Sequence, residues 1–187
     1  MKNKNYLYGL LLYGFIAGFT SPISAEIRQC DKEFISSDDS RIVYMGRISR
    51  SIPHIVRFTY PGVSILANFE GTSLQMKAKP GSGAFMVEVD DELPYRINFA
   101  ENDSIQTLAE GLPEGIHRVR IMYAIEGYEL KPAFKGFYLD KGCRLDEAPV
   151  LPERRIEFIG NSITCGYGVE SENPSDPFTY ETENHFY

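Results

Sequence analysis

From about Arg41 to Asp140 the sequence consists of short apolar or alternating runs, broken at close intervals by glycine and proline, with no sustained helical period. A chain punctuated this way cannot build long helices, and it points to stacked antiparallel strands. The predicted strands are 42–48, 55–60, 63–69, 72–79, 84–90, 95–99, 104–110, 115–125 and 133–139. Pro61-Gly62, Glu70-Gly71, Pro80-Gly81-Ser82-Gly83 and Glu114-Gly115 stand between them, where these residues supply turn dihedrals at little cost. In the long strand over 115–125, Ile116, Val119, Ile121 and Tyr123 do not keep one alternation, which predicts a bend or bulge there. Close to 100 residues of this pattern suffice for the core of two packed antiparallel sheets, of which a jelly roll is one common arrangement.

Ahead of this region, Lys2 and Lys4 precede an apolar run from Tyr6 to Phe19 that closes on Thr20-Ser21-Pro22-Ile23-Ser24-Ala25. A basic start, a short apolar stretch and a small terminal residue are the parts of a signal peptide, predicted over 1–25 with cleavage after Ala25. The expected location is therefore secreted or periplasmic. No second apolar run long enough to span a bilayer follows, so no stable membrane insertion is expected after cleavage. Cleavage removes two lysines and no acids, which takes the net charge from −7 to −9. That balance argues against a nucleic-acid partner, because phosphate recognition relies on clustered Lys and Arg. Cys30, Cys143 and Cys165 leave at least one thiol unpaired, and a Cys30–Cys143 bridge is compatible with an exported chain. No Cys/His cluster has zinc spacing, so neither a metal nor another cofactor is implied.

Composition shifts at 145–153, where Pro149 and Pro152 remove backbone donors and stiffen the chain. The expected organisation is a β-sandwich domain over 26–145, a linker over 146–154 and a second domain opening at 155. There 155–159 is predicted as a short strand running into Gly160-Asn161-Ser162 and the glycine-rich turn that follows. A serine at the carboxyl end of a strand projects into the crevice where α/β sheets bind ligands, which makes Ser162 the candidate nucleophile. A serine at a strand-to-helix junction also serves as an N-cap. The turn is not the G-x-S-x-G elbow, since position 164 is Thr.

The stretch 156–168, Ile-Glu-Phe-Ile-Gly-Asn-Ser-Ile-Thr-Cys-Gly-Tyr-Gly, resembles the first block of the GDSL, or SGNH, esterases and most closely carbohydrate esterase family 2. The resemblance continues back through the β region, at 61–71, 111–121 and 137–140, and covers nearly all of the chain after the signal peptide. It implies a jelly-roll-like β-sandwich followed by the truncated beginning of an α/β, flavodoxin-like SGNH hydrolase domain over 155–187. It also implies Ser162 as nucleophile, the Ser162 backbone N–H as one oxyanion-hole donor, and Gly160, Asn161, Thr164 and Gly166 as supports of the motif. Asn161 stands where most of the superfamily has Asp, and an amide can still donate and accept there. The implied activity is removal of O-acetyl groups from xylan or a related plant polysaccharide or oligosaccharide, without a cofactor. The family's later oxyanion donors and its catalytic histidine have no counterpart before Tyr187, so the chain is expected to be an inactive fragment.

Other residues compete for roles. His185 is the single histidine after Ser162, but it lies earlier than the family places its base. His54 and His117 lie beside or on predicted strands, where surface or structural roles are expected. Cys165 could rival the serine, though a buried packing thiol is the simpler reading. Glu157 and Glu170 bracket the motif without a known separation. A non-catalytic carbohydrate-binding or purely structural β-sandwich is the alternative; 12 Tyr and 12 Phe could form a sugar platform, but no Trp is present to stack on a ring.

Overall fold

The computed structural model describes residues 32–154, 156–164, 166–176, 179 and 182–184. The signal peptide, Cys30, Cys165 and His185 lie outside the described residues. Eleven strands are formed: β1 Lys32–Ser36, β2 Val43–Met45, β3 Ser49–Ile52, β4 Ile55–Arg57, β5 Ser64–Glu70, β6 Leu74–Ala78, β7 Gly83–Val89, β8 Tyr95–Phe99, β9 Ile105–Ala109, β10 Ile116–Tyr123 and β11 Ala133–Asp140. They make two sheets whose pairs are all antiparallel, one ordered β2-β5-β10-β7-β8 and the other β3-β4-β11-β6-β9 with β1 also on β11. The fold is thus the antiparallel β class that the turn-punctuated sequence predicts.

One apolar core is shared by both sheets. Leu74, Met76, Phe134, Phe137 and Leu139 come from one, and Ile65, Phe69, Phe85, Val87, Val119 and Ile121 from the other, all 0 or 1% exposed. Phe58, Phe85, Phe99 and Tyr123 meet edge to face at centroid distances between 5.0 and 6.1 Å, the geometry favoured by the ring quadrupole. Each such ring contributes about 1.5–3 kcal/mol by leaving water. The Tyr123 hydroxyl is buried with them and donates to the Ser82 carbonyl at 3.0 Å, so its burial leaves no polar group stranded.

Strand β11 holds its sheet together through an irregularity. Its register against β6 shifts between Phe134 and Gly136. With β6 on one edge, the other edge is divided between β4, opposite residues 133 and 134, and β1, opposite 136–140. Gly136 makes this division workable: at φ 143 it lets the β1 backbone come so close that a Cβ would strike the Ile35 carbonyl oxygen and the Phe34 ring. Lys32 then closes β1 onto β11, its ammonium donating to Asp140 at 2.6 Å.

Two expectations are corrected here, and two strands are added. The bulge predicted in the strand over 115–125 is absent, and β10 pairs in continuous register with β5 and β7. The apparent break in its alternation arises because His117, only 7% exposed, takes the inward position while Ile116 is 63% exposed. Strands β1 and β3 were not predicted, since Lys32–Ser36 and the exposed Ser49–Ile52 carry little apolar signal and exist because a neighbour supplies the ladder. Finally, no strand forms over 156–159 and no helix is present among the described residues, so the predicted opening of an α/β domain is not visible. Ile156, Phe158 and Ile159 are 81, 66 and 89% exposed. A parallel-sheet strand is stable only with neighbours on its edges and cover on its faces, and side chains this exposed lack that cover.

Candidate active site

The chain leaves the sandwich along β5. Leu145 is buried and bridges to Phe69, the Asp146 N–H donates to the Asn68 carbonyl at 2.9 Å, and the Asn68 amide donates to the Glu147 carbonyl at 3.0 Å. Beyond the proline-rich stretch it reaches the serine. Asn161 Oδ1 accepts the Ile163 N–H at 3.1 Å, an Asx turn across Ser162. The Ser162 carbonyl accepts from the Tyr167 N–H at 3.1 Å, and the Ile163 carbonyl from the Gly166 N–H at 3.3 Å. The serine itself is exposed.

Gly160, Asn161 and Thr164 have contacts within the turn, and Gly166 faces a later residue. At Gly160 a Cβ would collide with the Thr164 side chain, so the glycine and Thr164 fit together. Gly166 has φ 62, and a Cβ there would come within 2.9 Å of the Asn184 carbonyl oxygen. Asn161 uses its side-chain oxygen as an acceptor, a role an aspartate would fill equally.

The segment after the serine is tied to the sandwich through a residue that the sequence did not mark. Glu183 is 0% exposed. Its carboxylate accepts the Glu126 N–H at 2.9 Å, and its carbonyl accepts from the Arg96 guanidinium on β8 at 2.7 Å. Burial pushes the Glu183 carboxyl above its ordinary value, partly opposed by the Glu126 N–H. Around this anchor, the Glu170 N–H donates to the Thr182 carbonyl at 3.0 Å and the Asn184 amide donates to Glu170 Oε1 at 2.7 Å. Glu170 is therefore engaged in closing the serine loop. A buried acid in a polar stretch leaves no periodic trace, and only its contacts reveal it.

The two described histidines belong to the sandwich. His117 contacts Asp90 Oδ2 through Nδ1 at 2.5 Å and the Pro113 carbonyl through Nε2 at 2.8 Å, with the Phe69 ring 5.5 Å away. His54 is exposed and contacts Asp38 Oδ2 at 2.7 Å and Ser36 Oγ at 3.2 Å. Serine, histidine and aspartate thus meet, but both contacts fall on Nδ1. A catalytic triad needs the serine on one ring nitrogen and the carboxylate on the other.

An antiparallel β-sandwich continued by an exposed serine turn of the form Gly-Asn-Ser-x-Thr is the framework in which comparisons with known proteins become informative. The family described as Carbohydrate esterase 2 N-terminal matches residues 44–149. The chain belongs to carbohydrate esterase family 2. An acetylxylan esterase / glucomannan deacetylase of Cellvibrio japonicus is 35% identical over 175 residues, 92% of this chain and 47% of its own. A match of that extent necessarily runs through residues 160–166. A family two carbohydrate esterase structure from Cellvibrio japonicus superposes with TM-score 0.71 at 25% identity, covering 82% of this chain and 46% of that one. One from Clostridium thermocellum in complex with cellohexaose gives TM-score 0.67 at 34% identity, covering 77% and 44%. The chain spans less than half the length of the curated relatives it matches.

Proposed function

We propose that this chain is the amino-terminal part of an exported serine esterase that removes O-acetyl groups from xylan or a related plant polysaccharide. The observation that carries the reading is the exposed Ser162 on a turn buttressed by Gly160, Asn161, Thr164 and Gly166, in a chain of carbohydrate esterase family 2. Ser162 Oγ attacks the acetyl carbonyl carbon while a base takes its proton. The Ser162 N–H donates to the oxygen that becomes negative, and loss of the sugar alkoxide, protonated by the same base, leaves an acetyl-serine. Water then releases acetate and restores the hydroxyl. Among the described residues neither histidine is placed to be that base, because His117 is enclosed by Phe69, Asp90 and Pro113 and His54 directs Nδ1 to Asp38.

In this proposal residues 1–25 direct export, the sandwich precedes the hydrolase region, and 155 onward supplies the nucleophile. The relatives' names support acetylated xylan and glucomannan as the substrate class. Acetate release from acetylated xylan by the full-length protein tests it. Ser162→Ala is expected to lower the rate by about a thousand-fold or more, since a triad without its nucleophile keeps only binding and oxyanion stabilisation. A variant that retains its rate would overturn the assignment.

A further inference from the structure

Two shallow clefts adjoin at the edge where β3 and β4 meet the loop between β10 and β11, with volumes of about 370 and 440 Å³. Arg57 and Lys131 line both; Arg47 lines the first, and Lys79 and Lys135 line the second. Against these five cations the lining holds one carboxylate, Glu129. The concentration runs against the chain as a whole, whose net charge is −7.

The state of these side chains separates them from five other cations of the sandwich. Lys32, Arg41, Arg118, Arg120 and Arg144 are paired with Asp140, Asp39, Asp91, Glu88 and Glu70. None of the five cleft cations makes an ion pair with a described carboxylate. Arg47 is held by an aromatic ring, its guanidinium carbon 5.6 Å from the centroid of Tyr60, which is 57% exposed. That contact leaves the positive charge of the guanidinium without a counter-charge, and a guanidinium can grip a carboxylate with two parallel hydrogen bonds. Lys79 donates to the neighbouring Pro80 carbonyl at 3.1 Å, which neutralises no charge. Lys131 adopts φ 50, a conformation that a side-chain-bearing residue takes up at a cost, directly at the point the clefts share.

We propose that these clefts form a binding site for the carboxylate groups of a uronic-acid-bearing polysaccharide, placed on the sandwich and separate from the Ser162 turn. The choice of a glycan rests on the esterase reading above; the choice of an acidic one rests on the five cations. A nucleic acid is the less suitable polyanion. Duplex DNA carries a charge about every 1.7 Å and would be repelled by the net negative charge of the chain, whereas uronates spaced along a neutral chain engage the clefts locally.

Binding of the full chain to 4-O-methylglucuronoxylan, to the same polymer with its carboxyls reduced to alcohols, and to duplex DNA tests this at low salt. The acidic xylan is expected to bind about ten-fold tighter than its reduced form, the difference shrinking as salt is added. The double variant Arg57→Gln/Lys131→Gln, which changes two exposed side chains, is expected to lose that preference while keeping affinity for the reduced polymer. Arg118→Gln, at an arginine already paired with Asp91, is expected to keep it. Equal affinity for the two polymers, including no binding to either, overturns the proposal, as does tighter binding to DNA or a double variant that behaves as wild type. Acetate release is not the readout, so Ser162→Ala retains the preference, and failure of the esterase reading is told apart from failure of this one.

Discussion

His117 and Asp90 lock the start of β10 to the turn after β7: His117 Nδ1 lies 2.5 Å from one Asp90 oxygen, and the other accepts the Arg118 N–H at 2.8 Å. Asp90 and Asp91 occupy the turn at φ 53 and 64, and the Glu92 N–H closes it onto the Val89 carbonyl at 3.0 Å. Aspartate tolerates this left-handed region better than most residues, and its carboxylate is thereby aimed back at the histidine.

Both ring nitrogens of His117 face oxygen acceptors, so the doubly protonated imidazolium suits the site. Burial lowers the imidazole's proton affinity, but the bonds to Asp90 and to the Pro113 carbonyl outweigh it and raise the group above its ordinary value of 6.5. A raised folded value means the stabilisation is fully present below pH 6.5 and is lost as pH rises through the folded value. The melting temperature is therefore expected to fall in wild type as pH rises above 6.5 and through the raised folded value, and to be flat over that range in His117→Gln. A His117 imidazole resonance titrating at or below 6.5 would contradict this.

Gly136→Ala is expected to destabilise the sandwich by about 3 kcal/mol, as overpacking against backbone does. The added Cβ meets the Ile35 carbonyl and the Phe34 ring, so β1 must part from β11. Amide exchange should accelerate over Lys32–Ser36 first, ahead of β6 on the opposite edge. Uniform acceleration in both strands would show that the glycine serves something other than this approach.

Glu183 gives the serine segment its hold on the sandwich, and its two replacements should differ. Glu183→Gln keeps an oxygen to accept the Glu126 N–H and removes a charge whose burial is unfavourable, so docking is expected to hold or tighten at pH 7. Glu183→Ala removes the acceptor and is expected to speed proteolysis between residues 150 and 182 by about ten-fold, the effect of about 1.4 kcal/mol. Equal cleavage of the two variants would remove the carboxylate from this role.

Much of the sandwich was legible because local rules suffice for half-buried strands. The Tyr95–Phe99 strand has the same bounds in sequence and structure, and the turn glycines mark most of the others to within a few residues. Within the serine turn, Gly160 and Thr164 fit together and Asn161 accepts the Ile163 N–H across a few positions, whereas Gly166 lies against the distant Asn184 carbonyl. What went unread depends on distant residues. Ile116 looked like the core residue and His117 like the surface one; their exchange depends on Asp90 and Pro113 satisfying both ring nitrogens. Glu183 and the cleft cations lie in stretches with no periodicity, and their partners or clustering exist only once the chain is folded.

By itself, then, the sequence determined the antiparallel class and most strand positions, because alternation and turn dihedrals act within a few residues. Tertiary structure alone decided that β11 shares one edge between β1 and β4, that the residues before Ser162 form no strand and stay exposed, and that five cations without an ion pair meet at one edge. The reason is that a ladder, a buried charge and an ion pair each need a second partner, and the position of that partner is a property of the whole fold.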